Sequence, residues 1–226
     1  FTAGARRCAV VCVLAMFVTV TSTAGTEDLK LPNLGESSTS MFSSEFEYQL
    51  GRAWLREFRS QVPTIDDPLL FDYLENLIYS LVTHSKLDDR RIALVIVDNP
   101  TINAFAVPGG VIGIHNGLLM WAQSEDELAT VLAHEIAHLS QRHFSRGVEF
   151  QQKLQPITLA AMLASFVLMA TAGGNTGMAA MSATQAAAQN SALRYSRANE
   201  QEADRIGMQT IVGSEMDPHA APAMFE

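Results

Sequence analysis

Two histidines with three residues between them, and a glutamate directly after the first, have types and spacing suited to metal chemistry. They are His134, Glu135 and His138. On an α-helix, residues four apart have Cβ atoms about 5–6 Å apart, so both imidazoles can bind one ion. Glu135 would lie beside that ion, where a carboxylate can take a proton from a water that attacks a peptide carbonyl. The pattern therefore predicts a zinc-dependent endopeptidase with Glu135 as base.

A catalytic zinc takes three protein ligands, so a third ligand must lie elsewhere in the chain. His143 follows His138 by five residues, which on a continuous helix places it about 140° around from that ligand. The metzincin pattern is also missing, because Ser140 and Phe144 stand where it has a Gly and a third His. We expect His143 to support the site from outside the ligand set.

A second acidic segment supplies the better candidate for the third ligand. Glu200 and Asp204 are one turn apart and share a face of a helix predicted to end near Gly213, whereas Glu202 points to roughly the opposite side. We predict Glu200 as the third ligand and Asp204 as a hydrogen-bond acceptor for a ligand imidazole. The alternative is an ordinary solvated acidic face.

The helix that carries the two histidines is marked by its own start signals. Ser124 is predicted to cap it, with Glu127 three residues later in a capping box. Apolar residues recur at helical spacing and predict its buried side: Leu128, Val131, Leu132, Ile136 and Leu139. The motif is therefore expected in a helix interior.

Earlier segments predict two helices and a small mixed sheet. Ser44 with Glu47 forms a second capping-box pattern, and Asp67 before Pro68 is typical of a helix start. Three short segments predict strands: residues 92–98, which are apolar and rich in β-branched residues, and residues 104–107 and 111–115. The last two are joined through Pro108-Gly109-Gly110, which is typical of a tight turn.

The N-terminal segment has the layout of a secretory signal peptide. Arg6 and Arg7 precede an apolar run over residues 8–20, and small residues lead to Ala24. We expect a signal peptide at 1–24, an extended lead-in at 25–43 and one domain at 44–226. Both cysteines fall in the signal segment. The formal net charge of -9 argues against a nucleic-acid partner.

Three segments together resemble the HtpX/BepA-type zinc metallopeptidases, relatives of the CAAX prenyl protease. They are residues 103–110 (Asn-Ala-Phe-Ala-Val-Pro-Gly-Gly), residues 134–143 and residues 200–204 (Glu-Gln-Glu-Ala-Asp). The resemblance implies an α+β, zincin-like (gluzincin) domain that is mainly helical, with a small mixed sheet before the motif helix. It also implies one zinc ion per chain, held by His134, His138 and Glu200.

The resemblance implies a substrate site and a setting as well. The strand formed by Ala104, Phe105, Ala106 and Val107 would receive substrate backbone by strand addition. The chain is most similar to the periplasmic members of the family, which implies misfolded or stalled outer-membrane proteins as substrates and the outer-membrane assembly machinery as a partner. In those members helical repeats follow the peptidase domain. This chain stops at Glu226, where those repeats would begin, so we expect either that the remainder is missing from the sequence or that this is a shorter, repeat-free relative.

An Ala-, Met- and Leu-rich segment separates the two parts of the predicted metal site. Residues 155–182 are expected to form an apolar helical hairpin, which would act as a lid or make a peripheral membrane contact through 156–181. An alternative function also stays open. The chain would then be a chaperone or binding module with a shielded, mainly structural zinc site.

Overall fold

The computed structural model describes residues 42–172 and 174–220, so the predicted signal peptide and nearly all of the predicted lead-in lie outside the described residues. Six α-helices, three strands and one short 3-10 helix make up the described part. The helices are α1 (Ser44–Gln61), α2 (Pro68–His84), α3 (Asn116–Trp121), α4 (Glu125–Ser140), α5 (His143–Ala172) and α6 (Gly174–Gly213), and the 3-10 helix is Pro218–Ala220. The strands are β1 (Ala93–Val97), β2 (Ala104–Val107) and β3 (Val111–His115).

The sheet is small and mixed, as predicted. Its strand order is β1-β3-β2, with β1 parallel and β2 antiparallel to β3. Gly109 and Gly110 make the turn between β2 and β3 with φ values of 82° and 76°, a backbone conformation that side-chain-bearing residues rarely adopt. This order leaves β2 at the edge of the sheet.

The main core lies between the sheet, α2 and α4. Leu74, Ile78 and Leu81 of α2 pack with Ile96, Ile112 and Ile114 of the sheet and with Leu132 and Ile136 of α4, and all eight are fully buried. Burying a side chain of this size stabilises the fold by about 1.5–3 kcal/mol relative to leaving it exposed. The motif helix is therefore fixed in place by its apolar face, and the opposite face is available for the site.

The start of α1 corrects one prediction. Ser43, and not Ser44, caps the helix by accepting a hydrogen bond from the Phe46 N–H. Glu47 does not complete a capping box, because its carboxylate accepts hydrogen bonds from Arg142 and Ser145 instead. The Asp67 cap before Pro68 and the Ser124 cap of α4 are confirmed.

Helices α5 and α6 pack against each other as a long hairpin, which extends beyond residues 155–182 at both ends. Phe150 stacks on Tyr195 near its base, with ring centroids 4.2 Å apart, and Met169 lies against Gly177 near its tip. The stretch His143–Met169 is long and apolar enough to cross a membrane by length and composition. Its apolar side chains are mostly exposed, including Ile157, Leu163 and Val167 at 65%, 58% and 62%.

Candidate metal centre

Three predicted ligands from two helices converge on one point. The His134 Nε2 atom lies 3.0 Å from His138 Nε2, and a Glu200 carboxylate oxygen lies 3.4 Å from the first and 3.6 Å from the second. The two histidines are one turn apart on α4, and Glu200 comes from α6. The three side chains form a group that can hold a metal ion.

Small residues allow α6 to approach α4 closely enough for this convergence. Ala137 and Ala203 are buried against each other together with Ile206. At Gly207 a Cβ atom would lie only 3.1 Å from the His134 backbone nitrogen. Because Gly207 has no Cβ atom, it helps to set the distance between Glu200 and the two histidines.

The outer nitrogen of His134 faces the second predicted acidic residue. His134 Nδ1 is buried, and an Asp204 carboxylate oxygen lies 2.9 Å from it, although the N–H direction is not aligned for a hydrogen bond in this structure. The Asp204 side chain is 64% exposed. Asp204 therefore lies where an acceptor for this imidazole is needed.

The outer nitrogen of His138 contacts His143, whose Nδ1 atom lies 2.9 Å from His138 Nδ1. Burial, together with the neighbouring His134, lowers the pKa of His138 to about 4, so its imidazole is neutral at pH 7. A neutral imidazole is the form that binds a metal ion. His143 itself is 6% exposed and does not belong to the group of side chains that can hold a metal ion.

The reason that His143 stands outside the ligand cluster differs from the predicted one. The motif helix ends at Ser140, and Arg142 adopts a left-handed conformation with φ of 53° before α5 begins at His143. The chain therefore turns, and His143 folds back onto the outer side of His138. The angle of about 140°, which assumes a continuous helix through this point, therefore does not describe the position of His143.

Glu135 lies between the ligand cluster and the edge strand of the sheet. Burial, reinforced by the charge of Glu200, raises the pKa of Glu135 to about 7, although a hydrogen bond from the Ala106 N–H opposes the shift. A carboxyl group with a pKa near neutrality can both accept and release a proton under working conditions. Its position and its pKa both suit the role of a general base.

A cavity of about 320 Å³ opens beside this glutamate. Its walls come from β2, the end of α4 and the start of α5, and they include Phe105, Glu135, Leu139, Arg142 and Phe144. Apolar and charged side chains thus both line the cavity where edge strand β2 passes the predicted metal ligands. A substrate side chain would fit into a cavity of this size.

Two charged residues at this centre were missed by the sequence analysis. The Glu202 carboxylate lies 3.2 Å from His143 Nε2 and accepts a hydrogen bond from Arg146 at 2.9 Å. Glu202 does point away from Glu200, as predicted. The turn at Arg142 brings His143 and Arg146 to that side, and no pattern in the sequence indicates this turn.

The model of peptidase family M48 matches residues 68–225, which include the three predicted metal ligands.

Curated relatives of the chain are peptidases by name. The beta-barrel assembly-enhancing protease of Escherichia coli (strain K12) is 39% identical over 196 residues, covering 87% of this chain and 40% of the relative. The protein of the same name from Yersinia pestis is 41% identical over 196 residues, with the same coverage. The mitochondrial metalloendopeptidase OMA1 of Schizosaccharomyces pombe is 28% identical over 197 residues, covering 81% of this chain and 52% of the relative. The chain spans about 40% of the length of the first two relatives.

Proposed function

The chain belongs to peptidase family M48, and from that premise we propose that it is a zinc-dependent endopeptidase. His134, His138 and Glu200 are its metal ligands, and Glu135 is its general base. The observation that carries the proposal is the convergence of these three ligand atoms beside a buried carboxyl group with a pKa of about 7.

The distances among the three ligand atoms fit a tetrahedral zinc ion. Zinc bonds to nitrogen and oxygen of roughly 2.0–2.2 Å at tetrahedral angles imply ligand separations of about 3.3–3.6 Å. The observed separations of 3.0, 3.4 and 3.6 Å lie close to this range. Two imidazoles and one carboxylate are also a ligand set typical of catalytic zinc, which leaves the fourth position for water or substrate.

Glu135 carries the proton transfers. When bound, zinc would polarise the peptide carbonyl and lower the pKa of the attacking water. The Glu135 carboxylate takes the proton of that water as the water oxygen bonds to the carbonyl carbon. The protonated carboxyl group then gives the proton to the amine nitrogen as the peptide bond breaks.

Strand β2 receives the substrate backbone in this proposal. The His115 N–H donates to the Asn103 carbonyl, which makes residues 103, 105 and 107 the ones that hydrogen-bond to β3. The backbone groups of Ala104 and Ala106 therefore face the outer edge, and the Ala106 N–H does reach Glu135. An extended peptide added along Ala104, Phe105, Ala106 and Val107 would bring its carbonyl carbon to the base.

The proposed substrates are misfolded or stalled outer-membrane proteins in the periplasm, with the outer-membrane assembly machinery as a partner. The printed name of the two bacterial relatives, beta-barrel assembly-enhancing protease, supports this setting. The predicted signal peptide at 1–24 supports export.

The hairpin of α5 and α6 is proposed to make a peripheral membrane contact. The side chains of Glu200 and Asp204 are 54% and 64% exposed, so the hairpin leaves the metal cluster open in this arrangement. Residues 154–193 contain no Asp, Glu, Lys, Arg or His, and large apolar side chains of α5 in this stretch are exposed. These two features favour contact with lipid over closure as a lid.

A Glu135→Gln comparison tests the peptidase proposal. The wild-type chain loaded with zinc should cleave an unfolded β-barrel protein, and Glu135→Gln should bind one zinc ion per chain but cleave about 10²–10⁴ times more slowly. Glu127→Gln, at the other end of α4, is the matched control and should cleave like the wild type. If all three proteins bind zinc and none of them cleaves the substrate, the result would support the binding-module alternative instead.

A further inference from the structure

Four side chains form a continuous line of contacts that begins at a predicted metal ligand: His138, His143, Glu202 and Arg146. His138 Nδ1 lies 2.9 Å from His143 Nδ1, and His143 Nε2 lies 3.2 Å from a Glu202 carboxylate oxygen. Arg146 donates to the same oxygen of Glu202 at 2.9 Å. The line therefore runs from a predicted metal ligand to a salt bridge at the base of the hairpin.

The donors and acceptors in this line can be assigned in only one way when both histidines are neutral. An ionised carboxylate accepts hydrogen bonds but donates none, so the proton of His143 must be on Nε2, facing Glu202. His143 Nδ1 then carries a lone pair and accepts from His138, whose proton must be on Nδ1. The lone pair of His138 is left on Nε2, the atom that faces His134 and Glu200.

His143 is buried beside a salt bridge. Its side chain is 5% exposed, and the Arg146 guanidinium is bound to the same carboxylate oxygen that His143 contacts. A charged His143 would donate from both nitrogens and would force the lone pair of His138 onto Nδ1. In that tautomer His138 could not bind an ion at the ligand cluster.

The turn between α4 and α5 puts His143 in place. Arg142 holds its left-handed conformation while its guanidinium donates to Glu47 at 2.7 Å. This conformation directs the start of α5 back toward His138, so that His143 and Arg146, almost one turn apart, both face Glu202 on α6. The contacting residues therefore come from three helices, α4, α5 and α6, and the turn at Arg142 brings them together.

We propose that Glu202 and Arg146 are positioning residues that hold His138, through His143, in the tautomer whose Nε2 lone pair faces the metal cluster. This proposal rests on the proposed function, because the tautomer of His138 matters only if His138 binds a metal ion. The tautomer itself exists without zinc or substrate. Such residues around a metal site typically change the metal affinity 10–100-fold when they are replaced.

The test is a ¹⁵N NMR measurement of the histidine side chains in the zinc-free chain at pH 8. The wild type should show His138 protonated on Nδ1 and His143 protonated on Nε2. Glu202→Met removes the acceptor at similar volume, and both histidines should then become mixtures of tautomers. Glu75→Met, on the exposed face of α2, is the control and should leave both signals unchanged.

A second readout separates this proposal from the proposed function. In competition with a chelator, Glu202→Met should bind zinc about 10–100-fold more weakly, and Arg146→Met should show a smaller loss in the same direction. Arg146→Met also serves if Glu202→Met does not fold. A His138 protonated on Nε2 in the wild type, or unchanged tautomers and zinc affinity in both variants, would overturn the line of hydrogen bonds even if the chain cleaves peptides. The predicted tautomers in a chain that fails to cleave would support the line and count against the peptidase function alone.

Discussion

Gly207 of α6 lies against the backbone of His134 on α4, so closely that a Cβ atom at position 207 would stand 3.1 Å from the His134 nitrogen. The contact joins the helix that carries two predicted ligands to the helix that carries the third. The separation of α4 and α6, and with it the geometry of the metal cluster, depends on a residue that has no chemical role itself.

Replacing Gly207 with a large residue should therefore weaken both the fold and the metal site. We expect Gly207→Leu to lower the free energy of unfolding by about 1–3 kcal/mol, because the side chain must push α6 away from α4. Zinc affinity should fall with it. The matched control is Gly147→Ala, where the nearest atom, Tyr195 Cε1, is 4.0 Å away. That variant should gain about 0.5–1 kcal/mol in urea unfolding, because alanine favours the helix over glycine.

The Glu47–Arg142 pair is expected to stabilise the turn that places His143. The Glu47 side chain is 13% exposed and accepts hydrogen bonds from both Arg142 and Ser145, so Glu47→Ala removes the acceptor of the buried Ser145 hydroxyl and one acceptor of the partly exposed Arg142 guanidinium. We expect a loss of about 2–3 kcal/mol in the free energy of unfolding.

Glu45→Ala is the control for this prediction, because Glu45 pairs with Arg91 at the surface and both side chains are about half exposed. Its effect should be below about 1 kcal/mol. Equal losses in the two variants, measured by urea unfolding, would show that the Glu47 pair gives the turn no special stability.

Asp204→Asn tests the residue that faces the outer nitrogen of His134. The zinc affinity should fall about 10–100-fold, since the carboxylate no longer orients that imidazole, while the free energy of unfolding of the zinc-free chain should hardly change. Asp204 is 64% exposed, which is why little stability is expected to depend on it. Unchanged zinc affinity in chelator competition would remove Asp204 from the site.

Much of this arrangement could be predicted because the signals are local. The spacing of His134 and His138, the cap at Ser124 and the shared face of Glu200 and Asp204 each follow from the period of one helix. The mixed sheet was likewise indicated by one short segment rich in β-branched residues and by two further short segments with a Gly-Gly turn between them.

The missed features depend on contacts between residues far apart in the sequence. Glu47 fits a capping box in sequence, yet its partners Arg142 and Ser145 are 95 and 98 residues away. The left-handed conformation of Arg142 has no signal of its own, since glycine or asparagine would normally mark such a position. Glu202 looks like a solvated acid until that turn brings His143 and Arg146 to it.

The exposed apolar side chains of α5 are expected to bind lipid. Replacing Phe166 and Val167, which are 54% and 62% exposed, with serine should lower the fraction of the chain that sediments with phospholipid vesicles several-fold. Cleavage of an unfolded protein in solution should stay unchanged. The control replaces Leu69 of α2, which is 83% exposed on the main body, and should leave vesicle binding intact. Faster cleavage after the double replacement, with unchanged vesicle binding, would favour a lid instead.

The most direct test of the proposed function is the position of zinc in crystals of the zinc-loaded chain, located by anomalous scattering at the zinc absorption edge. We predict one ion per chain, bound to His134 Nε2, His138 Nε2 and a Glu200 carboxylate oxygen, with Glu135 beside it and not bonded to it. An ion held by His143, or one that leaves Glu200 unbound, would contradict the account.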